Sequence, residues 1–260
     1  MTRARGTQTA AVRTSIEEVS WTHFERMAGV YADARPPYPE ALFDVLRVQG
    51  VIGPGLRVLE VGAGAGLATR ALVEAGSEVV ALEPGPDLAT LLRQAVPEVA
   101  VIMRRLEDAV LPASAFDSVV AATSLHWVDL STALPALHAS LRPSGALAVF
   151  RHVFGDHGVP TPFRDRVDEI VAARAADSSA PRSEERPTMS ELMSGGWFEP
   201  VGTDHWRWSI DLTTDQVRRL FRTFSDWTDD EVEAVARAAD ECGGLVTEHY
   251  QSVLQLLRRS

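Results

Sequence analysis

Two carboxylates that flank a glycine-rich segment are the residues best suited to chemistry. Glu60 stands within the segment VLEVGAGAGL, residues 58–67, two positions before its first glycine. Glu83 directly follows the next apolar run, residues 79–82. An acid before the glycines repels a pyrophosphate and attracts an ammonium group. An acid at the end of the following strand can accept hydrogen bonds from both hydroxyls of a ribose.

The spacing of the glycines separates two classes of ligand. Glycine lets the chain turn tightly and lets a ligand approach bare backbone. Dinucleotide sites use the pattern GxGxxG, whereas this segment has glycines at 62, 64 and 66, and Leu67 stands where the last glycine of that pattern would fall. Together with the two acids, this spacing favours a nucleoside joined to an amino acid, and S-adenosylmethionine is such a ligand.

Short apolar runs alternate with helical stretches between residues 56 and 150, and this order predicts a doubly wound α/β sheet. The runs are almost continuously apolar, which is typical of parallel strands buried on both faces. Five strands are predicted, at residues 57–61, 79–82, 99–103, 118–122 and 146–150. Beyond residue 200 we expect a strand near 203–211, helices at 214–224 and 229–242 and an extended run at 250–257. The predicted fold is Rossmann-like α/β, mostly parallel with an antiparallel last strand, plus a helical cap insertion.

The domain organisation follows from the same pattern. We expect a disordered tail at residues 1–19 and a single domain at residues 20–260. The expected parts of that domain are N-terminal helices at 20–49, a cofactor-binding core at 50–150, a cap insertion at 151–200, and further sheet and helices at 201–260. The cap follows the fifth strand, from where it would cover a site at the sheet edge.

Composition limits the partners. The chain has 260 residues and a formal net charge of −11, which disfavours nucleic acid as a partner. It has no apolar stretch that suits a membrane helix, and its one cysteine, Cys242, fits a reducing cytosol. All 25 basic residues are arginine, so a P-loop and Schiff-base chemistry are excluded. We expect a cytoplasmic, bacterial protein that is a monomer or a homodimer and binds no membrane.

Four segments carry a family resemblance. They are EVGAGAGLATRAL, ALEPGPDL, LEDAVLPASAFDSVVAATSLHWVD and LRPSGALAVF. The chain resembles the class I S-adenosylmethionine-dependent methyltransferases over residues 24–152, and within them the small-molecule trans-aconitate and ubiquinone-type branch. The resemblance implies S-adenosylmethionine as cofactor and methyl transfer to an O, N or C nucleophile of a small molecule. Such a transfer is an in-line displacement that depends mainly on positioning.

The resemblance also implies a set of cofactor contacts. The glycine loop would wrap the methionine part, while Glu60 would engage its amino group and Glu83 the ribose. Arg105 departs from the small or acidic residue usual in the family, which leaves the backbone of Leu106 as the adenine contact. Arg35 would pair with the cofactor carboxylate. The expected cofactor-binding residues are Tyr31, Arg35, Glu60, Gly62, Ala63, Gly64, Gly66, Glu83, Pro84, Leu106, Glu107, Thr123 and Ser124.

Two histidines are candidate general bases. His126 follows the fourth strand and His152 the fifth, and a histidine can accept a proton from a nucleophile near neutral pH. Each could instead pack at its strand end. His126 and Trp127 are also candidate substrate contacts, Trp127 as a wall of the pocket. His152 lies near Asp156 and His157, but these loop residues lack the spacing of metal ligands, so no metal is predicted.

Two alternative functions remain open at this point. A protein of the same fold could bind the cofactor without transferring its methyl group. A nicotinamide-dependent oxidoreductase is the other alternative, although Glu60 and Leu67 argue against it. A nucleic-acid methyltransferase is disfavoured by the acidity of the chain and by the lack of an Asn-Pro-Pro-Tyr type motif.

Overall fold

A computed structural model describes Gly29 and residues 34–177 and 186–260, with the side chains of residues 175–177 left aside. The predicted tail at 1–19, Tyr31 and most of the predicted helical region at 20–39 lie outside the described residues. No helix in the described part of the chain is both long enough and apolar enough to cross a membrane.

Seven strands form a single sheet in the described residues, in the order β3-β2-β1-β4-β5-β7-β6. Their bounds are β1 Arg57–Val61, β2 Glu78–Leu82, β3 Ala100–Ile102, β4 Phe116–Ala122, β5 Leu141–Phe154, β6 Phe198–Thr213 and β7 Leu245–Arg259. The first five strands pair in parallel, and β7 runs antiparallel to both β5 and β6. The predicted Rossmann-like sheet with an antiparallel last strand is therefore confirmed.

Eight α-helices connect the described strands. They are α1 Glu40–Val48, α2 Thr69–Glu74, α3 Pro86–Ala95, α4 Leu130–Ser140, α5 Pro162–Asp177, α6 Met189–Leu192, α7 Thr214–Arg222 and α8 Asp229–Glu241. Three of them, α6, α7 and α8, begin at a threonine whose hydroxyl and an acid or amide three residues later form a capping box. Such a box satisfies two backbone donors that helix formation leaves unpaired.

Side chains on the two faces of the sheet build two separate cores. Val58, Val120 and Phe150 pack on one face with α1 and α2. Leu59, Val119 and residues of α4 pack on the other. Successive residues of a strand point to opposite faces, so these strands are apolar at most positions because both faces are covered.

The cap differs in extent from its prediction. Residues 151–154 continue β5, and residues 198–200 already belong to β6. A third apolar cluster joins Val167 of α5 to Val217 of α7 and Val235 of α8. Helices that precede and follow β6 in the chain thus pack together, and the same cluster includes Leu212 of β6 and Tyr250 of β7.

Candidate functional site

A cavity of about 1010 Å³ lies at the carboxyl ends of the central strands. The glycine loop after β1 and residues that follow β2 and β3 line one part, which we call the loop half; its members include Gly62, Gly64, Glu83, Pro84 and Leu106. The other part, the cap half, is lined by His126 after β4, by the end of β5 and by residues in and next to α5 and α7; its members include His126, Arg151, Val167, Phe221 and Phe224. Open α/β sheets bind their ligands at this edge.

Two glycines of the loop have conformations that other residues rarely adopt. Gly62 has a φ of 68°, and a Cβ on it would lie 2.5 Å from the Cβ of Ser124. Gly64 has a φ of 59°, but a Cβ on it would meet nothing within 4 Å and would occupy open space. Gly62 therefore lets the loop pack on the end of β4, while Gly64 leaves bare backbone for a ligand.

Glu83 lies at the base of the loop half with its carboxylate held by backbone amides. The amide of Gly64 donates to Oε2 at 2.7 Å and the amide of Gly85 donates to Oε1 at 2.9 Å. The side chain is buried, yet it lines the cavity. A carboxylate has about four acceptor positions on its two oxygens, so an oriented acid in this place suits recognition of a diol.

The segment after β3 closes the far end of the loop half. Leu106 is buried and lines the cavity together with Arg105 and Glu107. The guanidinium of Arg105 lies 3.7 Å from the carboxylate of Glu107. Its charge is thus directed along the rim, so the backbone and side chain of Leu106 are left to face a planar ligand.

The end of β4 has an unusual backbone. Thr123 has a φ of 56°, which is a true outlier for a β-branched residue. Its hydroxyl shares a hydrogen bond of 2.8 Å with the phenol of Tyr38, and its amide donates to the carbonyl of Phe150. The neighbouring Ser124 hydroxyl donates to the carbonyl of Val61. These contacts hold a strained turn where β4 meets the cavity, and strain of this kind concentrates at functional sites.

Glu60 does not lie where the sequence predicts. Its carboxyl group is fully buried beneath the glycine loop, accepts a 2.6 Å hydrogen bond from the Thr69 hydroxyl, and is not part of the cavity lining. Burial raises the pKa of Glu60 to about 8, with a smaller contribution from Glu83. A neutral acid on the far side of the loop neither contacts nor attracts an ammonium in the cavity, so the geometry argues against the predicted contact.

Two other loop residues also face away from the cavity. Ala63 is buried in the core cluster that lies against α1 and α2. A Cβ on Gly66 would come within 2.8 Å of the Leu92 side chain of α3. Neither residue lines the cavity, so their contribution to the site is to let the loop pack closely on its neighbours, and the predicted direct contacts are not seen.

Arg35 lines the cavity and contacts the cap. It donates a 3.0 Å hydrogen bond to the carbonyl of Thr223, and its guanidinium lies 4.5 Å from the ring centroid of Phe224 and 5.1 Å from that of Phe154. These contacts orient the cation by charge and by the faces of two rings. The described part of the N-terminal segment is thereby joined to the cap.

His126 forms part of the cavity wall with Trp127, whose ring centroid lies 4.4 Å away at a tilt of 47°. Burial lowers the pKa of His126 to about 2, and the charges of Arg186, Arg151 and Arg35 add to the effect. An imidazole with so low a proton affinity is neutral and a poor general base. The geometry supports a role for His126 as a wall of the site more than as a base.

His152 has partners at both ring nitrogens. Nδ1 lies 2.9 Å from the Ser252 hydroxyl, and Nε2 lies 3.3 Å from the carbonyl of Pro36. The Pro36 carbonyl can only accept, so Nε2 carries the proton and donates to it. Nδ1 of the neutral ring then accepts from the Ser252 hydroxyl, whose oxygen accepts from the indole of Trp208. Burial lowers the pKa of His152 to about 4. With no acceptor nitrogen left for a substrate, His152 fastens the segment around Pro36 to the sheet, which argues against the predicted base.

Sequence patterns gave no signal for several residues of the site. Tyr38 stacks on His152 with ring centroids 4.3 Å apart, and Phe221 and Phe224 bring α7 into the cavity wall. These contacts join residues more than 60 positions apart, so no local spacing could have indicated them. Among the described residues, no three His, Cys, Asp or Glu side chains are placed to hold a metal ion.

Comparison with known proteins identifies the central part of the chain. Residues 59–149 match a family model described as a methyltransferase domain. An uncharacterized methyltransferase of Mycobacterium tuberculosis is 36% identical over 126 residues, which cover 48% of this chain and 50% of that protein. An uncharacterized methyltransferase-like protein of Schizosaccharomyces pombe is 25% identical over 229 residues, 86% of this chain and 87% of that protein.

A solved structure shows the same fold. It is described as a type II methyltransferase from Anaeromyxobacter dehalogenans, and it superposes with a TM-score of 0.63 at 24% identity, covering 85% of this chain and 97% of that one. The chain spans about half the length of the first curated relatives that it matches. The domain, the relatives and the fold agree that this chain is similar to methyltransferases, and residues 59–149 carry the methyltransferase domain.

Proposed function

We propose that the protein transfers the methyl group of S-adenosylmethionine to a small molecule that binds in the cap half of the cavity. The observation that carries this proposal is the single cavity that contains both the glycine loop with Glu83 and the helical cap. A cofactor bound along the loop would present its reactive end toward β5 and the cap. The finer assignment to the trans-aconitate and ubiquinone-type branch stays a prediction.

The loop half fits this cofactor by its own chemistry. Gly64 presents backbone where a Cβ would fill open space, and Glu83 presents an oriented carboxylate that suits ribose hydroxyls. Leu106 provides an apolar surface for adenine. When bound, S-adenosylmethionine supplies a methyl group that is already activated by the sulfonium.

The residues of this chain would then act by positioning. Thr123 and Ser124 fix the end of β4, Arg35 joins the N-terminal segment to the cap, and Phe221 helps to exclude water from the space between them. Alignment of reacting groups can supply a large part of a rate enhancement. His126 has too low a proton affinity for a general base, and both ring nitrogens of His152 are occupied, so we infer that the acceptor arrives with a nucleophilic lone pair.

Calorimetric titration with S-adenosylhomocysteine tests the proposal. The wild-type protein is expected to bind, and Glu83→Gln to bind at least tenfold more weakly, because an amide offers donors where two backbone amides and a diol need an acceptor. Glu78→Gln, on the exposed start of the same strand, is the matched control and should bind as wild type does.

The catalytic part of the proposal needs a second measurement. Wild-type protein incubated with labelled S-adenosylmethionine and fractions of a small-molecule extract should release S-adenosylhomocysteine and a labelled product. Absence of cofactor binding in a folded wild-type sample, or binding of NAD in its place, contradicts the proposal.

A further inference from the structure

In the described part of the chain, Arg151 of the cap half has no counter-charge. We propose that Arg151 binds an oxyanion, a carboxylate or a phosphate, carried by the methyl acceptor. This inference rests on the proposed function, and it adds the chemical class of the acceptor.

The position of Arg151 places it away from Glu83, the predicted ribose contact. Arg151 lies on β5, while Glu83 follows β2, and β1 and β4 stand between those strands. Neighbouring strands are about 4.8 Å apart, so three spacings separate the two residues by roughly 14 Å. Arg151 lines the cavity beside His126 and Arg186, on the side where an acceptor would lie.

Three other arginines of the cavity wall have partners within the protein. Arg164 forms a buried ion pair with Glu248, Arg105 lies near Glu107, and Arg35 donates to the Thr223 carbonyl. In the described part of the chain Arg151 makes no hydrogen bond and no ion pair. A half-buried guanidinium that no acid accompanies is costly unless a ligand brings the charge.

The electrostatic surroundings point to an anion. Burial and the neighbouring charge of Arg186 lower the pKa of the Arg151 guanidinium. The two cations repel each other, and an oxyanion bound between them would be attracted to both. A guanidinium also matches the planar pair of oxygens of a carboxylate or phosphate by two parallel hydrogen bonds.

Three small aromatic probes test the inference on protein saturated with S-adenosylhomocysteine. Benzoate carries a carboxylate, phenyl phosphate carries a phosphate, and benzamide is a neutral analogue of benzoate. In calorimetric titrations, wild type should bind one of the two anions at least tenfold more tightly than benzamide. The tighter of the two identifies which oxyanion the site prefers.

Variants assign the preference to one side chain. Arg151→Met should lose the preference for an anion, whereas Arg151→Lys should keep part of it because the charge remains. Arg70→Met is the control, because Arg70 is exposed on α2 and lies outside the cavity. Affinity for S-adenosylhomocysteine should stay within threefold of wild type in all three. Arg151→Lys keeps the test decisive if Arg151→Met does not fold.

Four results would overturn the inference. Benzamide could bind as tightly as both anions, or neither anion could bind at millimolar concentration. Arg151→Met could keep the full preference. Arg151→Met could instead weaken S-adenosylhomocysteine tenfold, which would assign Arg151 to the cofactor. Failure of wild type to bind S-adenosylhomocysteine at all is a different result, because it contradicts the proposed function itself.

Discussion

The loop half and the cap half of the cavity present different chemical groups to a ligand. The loop half presents backbone that glycines leave uncovered, and the Glu83 carboxylate holds this backbone by accepting hydrogen bonds from two amides. The cap half presents aromatic rings, histidines and arginines from β5, α5 and α7. Backbone can recognise a ligand that never changes, whereas side chains can change one at a time. The comparison fits the proposed roles, in which the loop half serves a fixed cofactor and the cap half a variable acceptor.

The largest expected effect on stability and cofactor binding tests whether the loop half depends on the absence of a side chain at Gly62. Gly62→Ala adds a Cβ that would overlap the Ser124 Cβ at 2.5 Å, at a φ of 68°. Overpacking and a left-handed backbone each cost about 1–3 kcal/mol, so we expect a loss of roughly 3 kcal/mol in the free energy of unfolding and weak cofactor binding. Urea denaturation and calorimetry measure the two effects.

Gly50→Ala separates the two causes. Gly50 has a φ of 62°, but a Cβ there meets nothing within 4 Å and it does not line the cavity. This control should lose only about 1 kcal/mol and keep full cofactor affinity. If Gly62→Ala is no worse than Gly50→Ala, the close packing of the loop on Ser124 has no energetic importance.

The next prediction concerns Glu60, which lies beneath the loop half and does not line the cavity. Its pKa is about 8 when folded and near 4.3 in an unfolded chain. Between these values the folded form keeps a proton that the unfolded form has lost, so the stability contributed by Glu60 is complete at low pH and falls as pH rises toward 8. Glu60→Gln keeps an acceptor for the Thr69 hydroxyl and cannot ionise.

Glu60→Gln should therefore become more stable than wild type as pH rises. The difference in free energy of unfolding is expected to grow by at least about 1.4 kcal/mol, the equivalent of one pKa unit, between pH 5 and pH 8. Glu78→Gln should show no such growth, because Glu78 is exposed. The cofactor affinity of Glu60→Gln should stay near that of wild type. A loss above tenfold would instead support the contact with the ammonium group that the sequence predicts.

Local pattern and long-range packing explain what could be predicted from the sequence. The strands, Gly62, Gly64 and Glu83 belong to short segments whose spacing reflects one local structure, so their places followed from sequence. Glu60 belongs to the same segment, but the alternation of β1 turns its side chain to the face covered by α2. The sequence spacing therefore predicted where Glu60 lies along the chain, but not the direction in which its carboxylate points.

The cap half could be predicted much less. His152 lies 100 residues from Ser252 and 116 from Pro36, so its two hydrogen bonds depend on how β7 and the N-terminal segment meet β5. The positive φ of Thr123 contradicts the preference of its residue type. Among the described residues no acid accompanies Arg151; this follows from how the chain packs, and no motif encodes it.

The smallest expected effect tests whether backbone alone forms the far end of the loop half. The Arg105 side chain is 41% exposed and lies 3.7 Å from Glu107, and an exposed pair of this kind contributes below about 1 kcal/mol. Arg105→Ala should shift S-adenosylhomocysteine affinity by less than about threefold, with exposed Arg70→Ala as its control. A tenfold loss in Arg105→Ala alone would mean that a side chain contacts the nucleoside there. The two halves would then differ in degree and not in kind, because each would use a cation to hold its ligand.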